Sequence, residues 1–340
     1  MKLMKTTEAV GQVLCHDITQ IIPGVTKDAV FRKGHIITEE DIPVLLSVGK
    51  DSIYIWENDE SMMHENEAAQ VLYRMTANAG MHASDVKEGK IEVIADCDGL
   101  LKVDSDKLRK VNSFGEMMIA TRHGNTPVKK GDKLAGTRII PLGIKKDKME
   151  SASCICDDGP ILEIKPYTIR NVAVITTGNE VFYGRIEDSF TPVIEKKISE
   201  FGAKMMFHEV FDDNDSKITD GCLRAIEAGA EIVFCTGGMS VDPDDRTPLA
   251  IKNTGAEIVT YGAPVLPGAM FLLSYYGEKK RPVIGLPGCV MYAKRTIFDL
   301  VLPQIVAGEI LKKADIDTLG EGGLCLNCPV CTFPNCGFGK

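Results

Sequence analysis

The chain has 340 residues, 44% of them hydrophobic and 26% charged, which is enough for two or three domains of ordinary globular composition. Its formal net charge of −9 argues against a nucleic-acid partner, because no compact basic patch offsets it. The sequence contains no apolar run of the roughly 18–20 residues that a membrane span requires, and no signal-peptide core follows residues 1–5. We therefore predict a cytoplasmic protein with neither a membrane nor a nucleic-acid partner.

The order of the predicted elements indicates an α/β protein. It contains a doubly wound, mostly parallel sheet, smaller β-rich units on the N-terminal side and a cysteine-rich tail. The predicted segments are 1–57, an N-terminal α+β unit; 58–168, a β-rich middle domain; 169–310, the α/β domain; and 311–340, the cysteine-rich tail.

The first two segments are expected to be mostly short strands. Thr38 with Asp41 three residues later predicts a capping box that opens a helix ending at Gly49. A strand is predicted at 52–56 and a helix at 68–78. Further strands are predicted at 90–95, 100–103, 117–121 and 137–141.

From residue 169 the pattern changes to alternating strands and helices, as expected of a parallel sheet with helices on both faces. Asp215 is the predicted N-cap of the second helix, and residues 257–261 are expected to pair with 271–275. The predicted strands are 172–176, 204–210, 232–235 and 282–286, and the predicted helices are 189–201, 215–228 and 289–306.

The stretch 232–248 combines features of an anion site. A buried strand ends in Gly237-Gly238, where the backbone can approach a ligand closely, and Ser240 follows. Three carboxylates come next, from Asp242, Asp244 and Asp245. They would repel a bare phosphate, so a divalent cation between them and the phosphate is the natural expectation.

Polar or glycine-containing clusters follow four of the predicted strands. Because the carboxyl ends of parallel strands lie on one edge of a sheet, the clusters should converge on one cleft. They are Thr177-Gly178-Asn179-Glu180, Asp212-Asp213, Gly237 to Ser240 with Asp245, and Pro287-Gly288.

The ordered motifs in residues 169–308 resemble the molybdopterin-binding domain found in molybdopterin adenylyltransferases and molybdopterin molybdenumtransferases. They are T-x-G-N-E, D-S at 188–189, D-D at 212–213, T-G-G-M-S, D-x-T-P at 245–248, P-G at 267–268 and L-P-G at 286–288. A weaker resemblance to the segment that precedes this domain in the molybdenumtransferases covers R-K-G-H-I-I and L-L-x-x-G in the first unit.

The resemblance implies a doubly wound fold that binds molybdopterin, a phosphorylated pterin dithiolene. Catalysis would depend on Asp212, Asp213 and Asp245 with Mg²⁺, which in adenylyl transfer would neutralise charge between the pterin phosphate and ATP. The residues that would bind the pterin are Gly237, Gly238 and Ser240 at its phosphate, Thr177, Gly178 and Glu180 in the same cleft, Thr247 at the adjoining helix, and Pro287 and Gly288 in the loop that closes the pterin side. A homo-oligomer is also implied.

The sequence departs from the molybdenumtransferase pattern at three motifs, one of which is Asp242 at a position that is often glycine in G-G-x-S-x-G. Residues 267–270 read P-G-A-M where that family usually has P-G-K-P, and residues 286–290 read L-P-G-C-V instead of L-P-G-N-P. The lysine that would attract an oxyanion is therefore missing. Lys294 and Arg295, placed one turn into the predicted last helix, could replace this charge or could be ordinary surface residues.

Four of the eleven cysteines lie close together near the end of the chain, at Cys325, Cys328, Cys331 and Cys336. Their spacing is closer to ferredoxin-like runs than to two separated zinc knuckles, and this favours a [4Fe–4S] cluster over zinc. The other seven are scattered, as in a protein that keeps its thiols reduced.

Three functions agree with these observations. The first is a transferase of molybdenum-cofactor assembly that adenylylates molybdopterin or inserts the metal. The second is a non-catalytic module that delivers the cofactor to a molybdoenzyme client and carries an iron–sulfur or zinc tail. The third, with no specific support in the sequence, is another hydrolase on the same fold, such as a pyridine-nucleotide amidase.

Overall fold

The computed structural model describes residues 2–22, 24–55, 59–240, 242–243 and 245–340, with the side chains of residues 26 and 27 left aside. The strands are β1 Lys2–Lys5, β2 Ile18–Ile22, β3 Thr26–Phe31, β4 Ser52–Ile55, β5 Met62–His64, β6 Met81–Ala83, β7 Lys90–Ala95, β8 Gly99–Val103, β9 Met117–Thr121, β10 Thr126–Val128, β11 Lys133–Ile139, β12 Gly143–Lys145, β13 Leu162–Lys165, β14 Asn171–Thr177, β15 Lys204–Phe211, β16 Ile232–Thr236, β17 Glu257–Tyr261, β18 Leu272–Tyr276 and β19 Arg281–Leu286. The helices are α1 Asp41–Ser47, α2 Glu65–Thr76, α3 Ser105–Asn112, α4 Lys146–Cys154, α5 Asn179–Phe182, α6 Phe190–Ser199, α7 Asp215–Glu227, α8 Thr247–Asn253, α9 Ile297–Val306 and α10 Lys313–Asp317.

The chain divides into two units. The first contains residues 1–97, 103–122 and 129–164, and the second contains 98–102, 123–128 and 165–340. Two short pieces of the predicted middle domain therefore belong to the second unit. These two pieces pair with each other as β8 and β10. They contact the second unit because the Lys102 ammonium lies 2.9 Å from the Glu309 carboxylate.

The first unit is built from small antiparallel sheets. The strand orders are β1-β4, β2-β3, β5-β12 and β6-β7-β11-β9. Leu14, Ile37 and Leu45 form part of one buried cluster in its first 57 residues. Helix α1 begins at Asp41 itself, whose carboxylate accepts bonds from the N–H and hydroxyl of Thr38, so the reciprocal half of the predicted capping box is not made.

The second unit contains a six-stranded sheet in the order β15-β14-β16-β19-β18-β17. The first four strands are parallel, and β18 runs antiparallel to its neighbours β19 and β17. The predicted pairing of residues 257–261 with 271–275 is confirmed as β17 with β18. Alternate residues of β14 face opposite sides of the sheet. Val172 and Val174 lie in the cluster that contains residues of α6 and α9, whereas Ala173 and Ile175 lie with residues of α7 and α8. Helices on both faces make this a doubly wound α/β fold.

Helix α9 is shorter than the helix predicted at 289–306. Residues 288–291 form a 3₁₀ turn and α9 begins only at Ile297. Thr296 starts the helix through a capping box with Asp299, whose carboxylate accepts from the Thr296 N–H at 2.8 Å. The N-cap of α7 also differs from the prediction, because the side chain of Asn214, not that of Asp215, accepts from the Lys217 N–H.

Replacing the cap of α9 should destabilise the second unit. Thr296 is fully buried, and its hydroxyl oxygen accepts from the Phe298 N–H. We expect Thr296→Ala to lower the free energy of unfolding by about 1–2 kcal/mol in urea titrations. Ser216→Ala, at an exposed position in the first turn of α7, should change it by less than about 0.5 kcal/mol. Equal losses in the two variants would contradict the capping role.

Candidate functional site at the strand ends

The parallel order brings the predicted strand ends together. In the sheet, β15 lies on one side of β14 and β16 lies on the other side, and β19 is next to β16. The chain passes from β14 to β15 and then crosses to β16. The carboxyl ends of β14 and β16 therefore flank a topological switch point, which is where open α/β sheets bind ligands. We call the loops that follow β14, β15, β16 and β19 the strand-end rim.

Gly237 is placed so close to the neighbouring strand that only a glycine fits. Its φ is +83°, and a Cβ atom would lie 2.1 Å from the carbonyl oxygen of Thr177. Gly238 also has a positive φ, of +52°, and a Cβ there would lie 3.0 Å from the Thr247 hydroxyl oxygen. The two glycines thus pack the loop after β16 against the end of β14.

Buried threonine hydroxyls support this packing. The Thr177 hydroxyl donates to the Thr236 carbonyl oxygen at 3.1 Å, and its oxygen lies 3.0 Å from the Thr247 hydroxyl oxygen. Thr236 is fully buried, and its own hydroxyl has no partner among the described residues. Thr177 and Thr247 therefore act as structural supports of the rim.

The rest of the glycine loop is anchored on the β19 side. Met239 is buried and its thioether fills the space beside Gly285, where a Cβ would lie 2.5 Å from the sulfur. The Tyr261 hydroxyl donates to the Met239 carbonyl oxygen at 2.9 Å. Ser240 is exposed immediately after this anchor. The loop is therefore held at Met239 and open at Ser240.

Asp212 and Asp213 follow the edge strand β15. One oxygen of the Asp212 carboxylate pairs with the Lys217 ammonium at 2.8 Å, while Oδ1 is buried and contacts no polar partner in the described part of the chain. Asp213 accepts from the Asn179 N–H at 3.1 Å and so fixes the loop after β14. The two neighbouring carboxylates thus differ, since Asp212 has an oxygen without a polar partner among the described residues.

Asp245 lies in the loop between β16 and α8, where its carboxylate accepts from the Asp242 N–H at 3.3 Å. Within the described residues, no three His, Cys, Asp or Glu side chains form a group able to hold a metal ion by themselves. The predicted acidic residues Asp212, Asp213 and Asp245 thus do not make a closed ion site. Asp244 lies outside the described residues.

The remaining predicted residues also lie in the loops of the rim. Gly178 is buried with φ +131°, and the exposed Glu180 turns its carboxylate back over it, so that a Cβ at Gly178 would lie 3.0 Å from Oε1. Pro287 follows β19, and Gly288 begins the 3₁₀ turn. The predicted residues of all four loops therefore lie at this edge of the sheet.

Asp188 is a residue to which the sequence analysis gave no role in the site. Its carboxylate accepts from the Thr176 hydroxyl at 3.0 Å and lies 3.4 Å from His208 Nε2. It also caps α6 by accepting from the N–H groups of Phe190 and Thr191. The D-S motif was the available signal, but it did not indicate this network beneath the ends of β14 and β15.

Asp188 should make stability depend on pH. Burial raises the pKa of its carboxyl, but hydrogen bonds from Thr191, Thr176 and Phe190 outweigh burial and hold the pKa below the ordinary value. A lowered folded-state pKa adds stability above the unfolded value of about 3.9, and this contribution is lost as the pH falls through the folded value.

We therefore expect the free energy of unfolding to fall more steeply below about pH 4 in the parent protein than in Asp188→Asn, which cannot titrate at this position. Urea titrations across this pH range measure the difference. Glu187→Gln, at the exposed neighbouring position, should keep the parent slope. Parallel curves for the parent and Asp188→Asn would show that this network does not stabilise the charged carboxylate.

The four tail cysteines line one cavity of about 250 Å³, together with Lys294, Arg295, Phe333 and Phe338. All eleven cysteines of the chain are free thiols. The N–H of Phe333 and the guanidinium of Arg295 lower the pKa of the Cys331 thiol. The tail thus gathers its cysteines around one space, although their sulfur atoms do not form a single-ion site.

Lys294 and Arg295 contact this tail. The Lys294 ammonium donates to the carbonyl oxygens of Cys328 and Pro329 at 3.0 and 3.1 Å. The Arg295 guanidinium lies 4.9 Å from the centre of the Phe333 ring. They belong to the loop that precedes α9, so the predicted placement one turn into a helix is wrong.

Comparison with known families gives two matches. Residues 173–307 match the family described as "Probable molybdopterin binding domain", and residues 3–57 match a domain of unknown function.

No helix of the described residues is long and apolar enough to cross a membrane.

Individual relatives match parts of the chain. A molybdopterin molybdenumtransferase of Nostoc sp. strain PCC 7120 is 26% identical over 179 residues, which are 50% of this chain and 40% of that protein. A protein of Geobacillus sp. strain WCH70 described as competence-damage inducible is 31% identical over 90 residues, which are 26% of this chain and 21% of that protein. The chain thus matches less than half the length of each relative. A crystal structure of the tungsten cofactor synthesizing protein MoaB from Pyrococcus furiosus, 20% identical, aligns over 41% of this chain and 94% of that one with a TM-score of 0.35.

Proposed function

Residues 173–307 belong to the molybdopterin-binding domain family, and from this premise we propose that the protein binds molybdopterin at the strand-end rim and acts on it as a Mg²⁺-dependent transferase. The reaction is adenylylation of molybdopterin or insertion of the metal. The observation that carries the proposal is the strand order, which sets the loops after β14, β15 and β16 side by side at a topological switch point.

The loop after β16 supplies donors for the pterin phosphate. No backbone carbonyl of the described residues accepts a hydrogen bond from the N–H of Gly238, Met239 or Ser240. The positive φ values of Gly237 and Gly238 turn this backbone, and successive N–H groups in such turns form concave anion sites. The anchored Met239 keeps the loop in place, so binding requires little ordering of the chain.

Asp212 is the residue that best fits a cation. Mg²⁺ is usually bound by one or two carboxylates together with substrate phosphates, so an acidic site that is not closed by protein ligands alone suits it. The buried Oδ1 of Asp212 provides an oxygen without a protein partner among the described residues, and Asp245 would supply a second carboxylate. When bound, Mg²⁺ would neutralise negative charge between the pterin phosphate and ATP.

Asp213 would act differently from Asp212. Its bond to the Asn179 N–H fixes the loop that carries Gly178 and Glu180, so it positions that side of the rim. Adenylylation is the better-supported reaction of the two. Metal insertion would lack the lysine that the molybdenumtransferases usually have, since Ala269 stands at that position. A homo-oligomer and a molybdoenzyme client that receives the product complete the proposal.

The proposal is tested by anaerobic incubation of the protein with molybdopterin and MgATP, with and without molybdate. We expect adenylylated molybdopterin to form only when both ATP and Mg²⁺ are present. Tight binding without turnover would contradict the transferase and support the delivery module. Failure to bind molybdopterin would contradict both.

A further inference from the structure

We propose that the tail binds a [4Fe–4S] cluster through the thiolates of Cys325, Cys328, Cys331 and Cys336, in the cavity that these four residues share. This site goes beyond the proposed transferase, whose chemistry needs no cluster.

The first support is that one cavity unites all four cysteines. In the ferredoxin-like runs that this spacing resembles, the fourth cysteine often ligates a different cluster. Here Cys336 lines the same space of about 250 Å³ as Cys325, Cys328 and Cys331. The tail therefore offers a complete set of four thiolates to a single group.

The second support is the size of the space. Zinc with four thiolates is tetrahedral with Zn–S bonds of about 2.3 Å, which places the sulfurs about 3.8 Å apart. The cavity that the four thiols share is about 250 Å³, which leaves room for an inorganic core larger than a single ion.

The third support is the charge and polarity of the walls. Four thiolates around a [4Fe–4S] core leave a net charge of about −2 in its oxidised form. Lys294 and Arg295 line the same cavity, where Arg295 also pairs with the buried Asp299 carboxylate at 2.8 Å, and Phe333 and Phe338 contribute apolar walls. Positive side chains beside the cavity favour a bound cluster of negative charge.

The tail is already held in place at both ends. At the first cysteine, the Leu266 N–H donates to the Gly323 carbonyl oxygen and the Cys325 N–H donates to the Leu266 carbonyl oxygen, both at 2.8 Å. After the cysteines, Phe338 is buried in the core of the second unit, and the Gly339 N–H donates to the Gly322 carbonyl oxygen at 2.9 Å. Because the backbone is anchored on both sides of the cavity, binding a cluster orders few additional residues.

The test is metal analysis of the full chain, purified anaerobically and reconstituted with Fe²⁺ and sulfide under reducing conditions. We expect about four iron and four acid-labile sulfide atoms per chain, with the absorption and Mössbauer spectra of a [4Fe–4S] cluster. One zinc per chain without sulfide would overturn the proposal, as would a protein that binds neither metal.

Matched serine variants assign the cluster to the tail. Cys328→Ser and Cys331→Ser, both at exposed positions, should fold normally by circular dichroism and bind well under one cluster per chain. Cys154→Ser, at an exposed position in α4, should keep the full content. Unchanged iron and sulfide in both tail variants would overturn the assignment. Molybdopterin binding is measured separately, so that the failure of one proposal does not decide the other.

Discussion

Gly237→Ala should abolish molybdopterin binding and lower the free energy of unfolding by about 2–4 kcal/mol. An alanine with positive φ costs roughly 1 kcal/mol, and a methyl group forced into a packed interior adds about 1–3 kcal/mol. The added Cβ would lie 2.1 Å from the Thr177 carbonyl oxygen, so the loop after β16 must move away from β14. Urea unfolding and anaerobic molybdopterin titration measure the two effects.

Gly255→Ala is the matched control. Gly255 has φ +84°, almost the same as the +83° of Gly237, but a Cβ there would meet no atom within 4 Å. The free energy of unfolding of Gly255→Ala should fall only by the roughly 1 kcal/mol that a positive φ costs an alanine. This variant should bind molybdopterin like the parent protein. If Gly237→Ala binds as well as this control, the close approach of the loop to β14 is not needed for the site.

Asp212→Asn should slow turnover about 100-fold, which corresponds to roughly 2.7 kcal/mol of lost transition-state stabilisation, and should change the affinity for molybdopterin much less. The substitution keeps the shape of the side chain and removes the negative charge that the buried Oδ1 would offer to Mg²⁺. Steady-state kinetics with MgATP and a separate binding titration distinguish turnover from affinity.

The control for Asp212→Asn is Asp220→Asn. Asp220 is exposed on α7 and pairs with Arg224, so losing its charge removes a surface ion pair without touching the rim. This variant should keep parent turnover. The catalytic assignment of Asp212 would fail if its variant turned over like Asp220→Asn, or if the affinity for molybdopterin fell as much as the rate.

The central strands β14, β16 and β19 could be predicted from the sequence because each contains a short apolar run that ends in a glycine or polar turn. Strand β16, for example, is buried at every position from Ile232 to Thr236 and stops at Gly237. Parallel order then follows from the alternation of strands and helices, and the structure confirms that the carboxyl ends of β14, β15, β16 and β19 share one edge.

The helix ends were harder to predict, because competing polar residues lie at each one. The apolar residues between 289 and 306 agree with one long helix, yet Thr296 and Asp299 stop it from extending upstream by forming their own capping box. In the first unit, the sequence analysis predicts no helix at α3, although Asp104 caps it through two backbone N–H groups.

Long-range contacts could not be read from local patterns at all. The spacing of the tail cysteines predicts a metal site, but it does not predict that Lys294, far from them along the chain, lies against the Cys328 carbonyl oxygen. The same holds for Asp188, whose neighbours Thr176 and His208 come from two different strands. Such sites depend on packing between elements, which periodicity does not encode.

Hydrogen–deuterium exchange with and without molybdopterin tests the central claim most directly. We predict that molybdopterin slows exchange in all three peptides that contain residues 177–180, 212–213 and 237–240, because their amides border one ligand at the strand-end rim. Protection confined to a single one of these loops, or located elsewhere in the chain, would contradict a common binding edge.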